Sequence, residues 1–138
     1  MFEAKVYKVS VVSSGITLAE EHFAKEVIER WNQENAEKKR IVFIPLPISS
    51  IREADMYVFP IDNRVDVAKV EAAIKTSSPV LLFFRMSHNP DNTISSELED
   101  IRKLRTELNG RCTCIDYNGP AEFKDSFADV LQSYQSII

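Results

Sequence analysis

Apolar positions along the chain switch repeatedly between a period of two and a period near 3.6, so short strands alternate with amphipathic helices. Lys5 to Val12 is rich in β-branched residues and runs into Ser13-Ser14-Gly15, which predicts a first strand and its terminating turn. Thr17 and Glu20 stand three apart, the spacing of a capping box, ahead of Phe23, Ala24, Val27, Ile28 and Trp31 at helical spacing. The second element is therefore a helix with one apolar stripe, and Lys25, Glu26, Glu29 and Arg30 take its other side.

Ile41-Val42-Phe43-Ile44 predicts a second strand, ended by Pro45 and Pro47 because proline cannot donate to a ladder. A short helical turn is expected at Ser50 to Glu53. Met56 to Phe59 reads as the third strand, Pro60 to Arg64 as a loop, and Asp66 as the cap of a helix from Val67 to Thr76. Val70, Ala73 and Ile74 form its buried side. Glu71 lies about 100° from Val70 on the helical wheel, near the edge of that packed face. Val80 to Phe84 is apolar on both faces, as a covered parallel strand is, and is expected in the middle of the sheet.

A long polar loop follows from Arg85 to Thr93. Ser96 and Glu99 form a second capping box, opening a helix that runs to about Asn109 and stops at Gly110. Arg111 to Tyr117 reads as the last strand. Gly119-Pro120 then opens a final helix with Phe123, Phe127, Val130, Leu131 and Tyr134 on one face.

Strands alternating with helices imply an α/β fold with right-handed crossovers. Five strands in one domain match a flavodoxin-like parallel sheet of order 2-1-3-4-5 with helices on both faces. In such sheets ligands bind outside the carboxyl ends of the strands, beside the switch point. That rule selects Ser13, Ser14 and Gly15 after the first strand, Asp62, Asn63 and Arg64 after the third, and Arg85, Ser87 and His88 after the fourth. Hydroxyls, backbone N–H groups and a helix N-terminus at Ser13 to Gly15 suit a phosphate or a carboxylate, although serines also finish strands simply as turn formers. Arg85 and His88 either add positive charge and a titrating group to the rim or are solvated loop residues. Carboxylate catalysis would draw on Asp62, Asp66 or Glu71, of which Asp66 is the better helix cap. With no G-x-S-x-G elbow in the chain, a triad hydrolase is not expected.

Composition narrows the picture. At 138 residues, 44% hydrophobic and 28% charged, the chain reads as a single domain, 1–138, whose core needs neither disulfide nor metal. A net charge of −4 opposes general attraction to phosphate backbones, so nucleic acid is not an expected partner. No apolar run approaches the ~20 residues of a membrane span, and Met1 to Lys5 lacks the basic start of a signal peptide, so no membrane association and a cytoplasmic location are expected. Three glycines leave little from which to build a Gly-rich phosphate loop. Cys112 and Cys114, two apart on one strand, point to the same face in a poor geometry for bridging. With His22 and His88 isolated, no metal site is expected, and the cysteines read as reduced packing residues.

The stretch Val12-Ser13-Ser14-Gly15-Ile16-Thr17-Leu18-Ala19-Glu20-Glu21, continuing from Ala24 through Trp31-Asn32, resembles the opening of the TIR-like "domain of unknown function" family of bacterial signalling and defence proteins. In that family a strand ends in a Ser-containing loop, followed by an acidic N-cap residue, where this chain has Thr17, then a Glu-Glu pair and a helix ending near Trp-Asn. The resemblance resumes at Ala54 to Val58, at Ser78 to Phe84 and from Glu122-Phe123 to Leu131, and so covers most of the chain. It implies a pocket related to those of TIR domains and nucleoside deoxyribosyltransferases, where nucleotides such as NAD are bound or cleaved at the glycosidic bond. NAD would enter as a ligand, and no resident cofactor is implied.

Two departures carry weight. The family's longer glycine-containing connection after the third strand is shortened here to Pro60 to Val65, and Lys69 stands where active relatives carry the glutamate that contacts the ribose. Lysine reverses the charge that would stabilise an oxocarbenium-like centre. The resemblance therefore implies a module that has lost glycohydrolase chemistry and binds a nucleotide, a protein partner or a second copy of itself. The alternatives are an active NAD or nucleoside glycosidase using Glu71 or Asp62, and an assembly subunit that takes no ligand.

Overall fold

In the computed structural model, which describes residues 3–12, 18–46, 54–61, 67–85, 103–108 and 110–133, the alternation resolves into nine elements. They are β1 (Lys5–Val11), α1 (Leu18–Lys39), β2 (Ile41–Leu46), β3 (Met56–Ile61), α2 (Val67–Ile74), β4 (Val80–Arg85), α3 (residues 103–108), β5 (Thr113–Tyr117) and α4 (Pro120–Gln132). The strands form one sheet of order β2-β1-β3-β4-β5, parallel throughout, which is the flavodoxin-like arrangement that the alternation implied. The expected turn at Ser50 to Glu53, the caps Thr17 and Asp66, the Ser96 and Glu99 box, and Tyr134 lie outside the described residues.

Two cores sandwich the sheet. On one face the stripe of α1 (Ala24, Val27, Ile28, Trp31) and that of α4 (Phe123, Phe127, Leu131) pack against Val9, Val11, Phe43, Val58, Leu81 and Phe83. On the other, Val70 and Ala73 of α2 and Leu104 and Leu108 of α3 cover Tyr57, Phe59, Leu82 and Phe84. Phe83 is the hub of the first core, its ring centroid 4.9 Å from that of Phe123 and edge-on to it, with Phe127 and Tyr117 at 6.3 and 6.4 Å. Such pairs add ~0.5–1.5 kcal/mol each beyond their burial.

Pro45, expected to end a strand, and Pro60, expected to open a loop, lie inside strands instead, and Pro47 lies outside the described residues. Pro45 pairs in register with Val9, and Pro60 with Phe83. Each is tolerated because its missing N–H faces a side without a ladder. Phe43 turns its backbone off the outer edge of β2, where the Asn32 side chain takes both groups: Phe43 N–H donates to Oδ1 at 3.0 Å and Nδ2 donates to the carbonyl at 2.8 Å. Two residues on, Pro45 faces the same outer edge. Asn32 thus blunts an edge strand, and the Trp-Asn pair has a structural reason, with Trp31 edge-on to Phe43 at 4.8 Å. On β3, Val58 accepts from Val12 N–H at 2.8 Å, so Pro60 also faces β1, whose pairing with β3 ends at Val58. The centre of the sheet is β3, buried at every position, rather than β4, which lies one place from it. Hydropathy cannot order these two strands, because helices cover both faces of each.

Candidate functional site

At the carboxyl ends of the strands, Ser13, Ser14, Gly15, Asp62, Asn63, Arg64, Asp66, Ser87 and His88 lie outside the described residues. Arg85 is described. It ends β4, is half-buried, and stands in register with Tyr117 of β5. Strand alternation puts Arg85 on the same face as Phe83, which is also the face of Tyr117.

The same corner holds a group that the sequence reading assigned to a helix cap. Glu20 is fully buried, and its Oε2 accepts a 3.0 Å hydrogen bond from the Tyr117 hydroxyl, 97 residues away in the chain. Its other oxygen, Oε1, has no hydrogen-bond partner among the described residues. An unsatisfied buried polar atom costs about 1–3 kcal/mol, so few persist without a reason. Placement in the first turn of α1, at the positive end of the helix dipole, offsets part of that cost. Glu21 is also buried, with Lys25 Nζ 3.5 Å from its Oε1. A signal for Glu20 was present in the sequence: it precedes Ala24, Val27, Ile28 and Trp31 by four, seven, eight and eleven residues, which puts a carboxyl group on the apolar stripe.

Neither residue singled out on α2 supplies a free acid to that corner. Lys69 is exposed. Glu71 is half-buried at the edge of the packed face, as its wheel position predicts, and its Oε2 lies 3.3 Å from Nη2 of Arg111, at the start of β5. Its carboxylate is therefore engaged toward the amino ends of the strands. Asp116 ties α3 to β5 through a short two-pronged pair with Arg105, which holds the guanidinium above its ordinary range and over the Phe84 ring, 5.1 Å from its centroid.

The amino ends of the strands border an open polar concavity of about 670 Å³, within the size range of small-ligand sites. Tyr7, Asp55, the turn Ser77 to Val80, and Gly110 to Thr113 line it. Cys112 stands on this wall and Cys114 further along β5, both packed against the α2 and α3 core and both free, on the one face that their spacing predicts. Burial, reinforced by the neighbouring Cys114, pushes the Cys112 thiol up to about 11, and burial also raises Cys114. Both are thiols at neutral pH, so neither is a ready nucleophile. Among the described residues no group of three or more His, Cys, Asp or Glu could hold a metal ion, and no helix is long and apolar enough to cross a membrane.

No family model and no curated protein matches the chain. Among solved structures, it is similar to crystal structures of S. aureus homoserine dehydrogenase. The one at pH 7.0 has 13% identity and a TM-score of 0.48, over 83% of this chain and 33% of that one. The one at pH 7.5 has 11% identity and a TM-score of 0.46, over 86% and 33%. The chain thus spans about a third of the length of those proteins, and at these TM-scores the likeness adds nothing to the strand order described above.

Proposed function

We propose that this chain is a TIR-like signalling or defence module that senses a nucleotide at the carboxyl-end rim of its sheet and lacks glycohydrolase activity. The observation that carries the reading is Glu20: a fully buried carboxyl group at the carboxyl end of the sheet, with one oxygen bonded to Tyr117 and the other without a partner among the described residues. Such an oxygen lacks a donor, and a ribose hydroxyl or a nicotinamide amide brought to it at the start of α1 would be a donor of the right kind. Ser13, Ser14 and Gly15 would face the phosphates at the start of α1, and Asp62, Asn63, Arg85, Ser87 and His88 would complete the rim. Loss of catalysis is supported by α2, where Lys69 holds the position of the expected acid and Arg111 engages the carboxylate of Glu71.

NAD, ADP-ribose and cyclic nucleotides titrated against the melting temperature test the binding, since a ligand at 100 times its dissociation constant adds ~2.7 kcal/mol. Chromatography of NAD and nucleoside incubations tests the chemistry. The expected result is stabilisation by at least one nucleotide, weakened by Glu20→Gln, with no base released. Base release abolished by Glu71→Gln and kept by Lys69→Ala would establish a glycosidase instead. No shift with any nucleotide would leave an assembly module, whose partner is a protein or a second copy.

A further inference from the structure

We propose that the amino ends of the strands form a second ligand site, separate from the carboxyl-end rim, that takes a small zwitterion of the amino-acid or short-peptide class. Two opposite charges, each held in place, border the concavity. Asp55 is fixed to β1 twice: its N–H donates to the Lys8 carbonyl at 2.8 Å, and its Oδ2 accepts from the Lys8 N–H at 2.7 Å. Arg111 is fixed by its N–H to the Leu108 carbonyl at 2.9 Å and by Nη2 to Glu71 at 3.3 Å. Both keep capacity, because a carboxylate accepts about four hydrogen bonds and a guanidinium donates five. Asp55 precedes β3 and Arg111 precedes β5, two strand spacings or about 10 Å apart.

Between them lie hydroxyls of Ser77, Ser78 and Thr113 and the uncharged thiol of Cys112. The turn at Gly110, whose φ of 93° favours glycine, borders open space, since a Cβ there would meet nothing within 4 Å. Asp55 and Glu71 repel a simple anion and Arg111 repels a simple cation. A molecule with both charges meets a partner at each end, its ammonium at Asp55 and its carboxylate at Arg111.

Glycine, glycylglycine and 6-aminohexanoate form a series of rising charge separation, with acetate and ethylammonium as singly charged controls. Calorimetry and the melting temperature are read with each. At least one zwitterion is expected to bind and raise the melting temperature by a few degrees while the controls do not. Asp55→Asn and Arg111→Gln should each weaken it tenfold or more. Thr113→Trp, at an exposed lining position, should block the cavity without touching either charge, and so reads the site independently of any loss of stability in the other two. No binding by any zwitterion, equal binding by the controls, or indifference to all three substitutions would overturn the site. NAD is titrated on the same samples: an unchanged response in Asp55→Asn supports two separate sites, and joint loss of both responses in a folded variant overturns their separation.

Discussion

The two ends of the sheet treat their acidic residues in opposite ways. At the carboxyl end Glu20 is sealed from water and held by the Tyr117 hydroxyl, 97 residues away, with its other oxygen unpartnered among the described residues. At the amino end Glu71 and Arg111 meet at 3.3 Å with side chains 39% and 50% exposed. Water screens the second pair and leaves its charges available to a ligand, whereas the first is a high-stakes contact that the fold cannot relax without cost. Acids of one chemistry thus serve opposite purposes, and burial, rather than position along a helix, separates them.

Removing the Tyr117 hydroxyl attacks that contrast most directly. Tyr117→Phe leaves both oxygens of Glu20 without a partner among the described residues and is expected to cost about 1–3 kcal/mol in denaturant unfolding. Adding Glu20→Leu should recover part of that loss, because two apolar groups leave nothing unsatisfied. A cost below ~0.5 kcal/mol for the single change would mean that the hydrogen bond does not hold the corner. At the other end, Glu71→Gln is expected to cost less than ~1 kcal/mol and to lose even that in 1 M salt, where the screening length falls to about 3 Å. A larger, salt-insensitive effect would erase the distinction between the two ends.

The effect that is smallest at neutral pH belongs to Cys112 and is read at alkaline pH. The Cys112 thiol is raised from its ordinary 9.0 to about 11 in the folded chain. Its contribution to stability is therefore complete below pH 9 and is lost as pH rises through 11. Cys112→Ala should flatten the alkaline arm of the stability curve in that window, and iodoacetamide should label Cys112 slowly at pH 8. Rapid labelling at neutral pH would contradict the half-buried, protonated thiol.

Much of the fold was legible because its signals are local. Val80 to Phe84 is apolar at every position, Phe123, Phe127 and Leu131 recur at helical spacing, and the two cysteines share a parity, so each element announces its type within a few residues. Pro45 and Pro60 were misleading for the same reason. Whether a proline breaks a strand depends on which side of the backbone lacks a partner, and that is set by β1 and by the Asn32 amide rather than by neighbours in sequence. Glu20 was legible as a capping residue and equally as a member of the apolar stripe. Tyr117, which decides between them, lies 97 residues away.

The sequence alone determined the alternation of strand and helix, and through the handedness of crossovers it determined a parallel sheet with helices on both faces. Those properties follow from chirality and from the spacing of apolar side chains. Tertiary structure alone decided that β3 is the centre, that Glu20 is shut away from water beside Tyr117, and that Glu71 is claimed by Arg111. Each of these is a contact between residues distant in the chain, and it exists only once the layers have closed on one another.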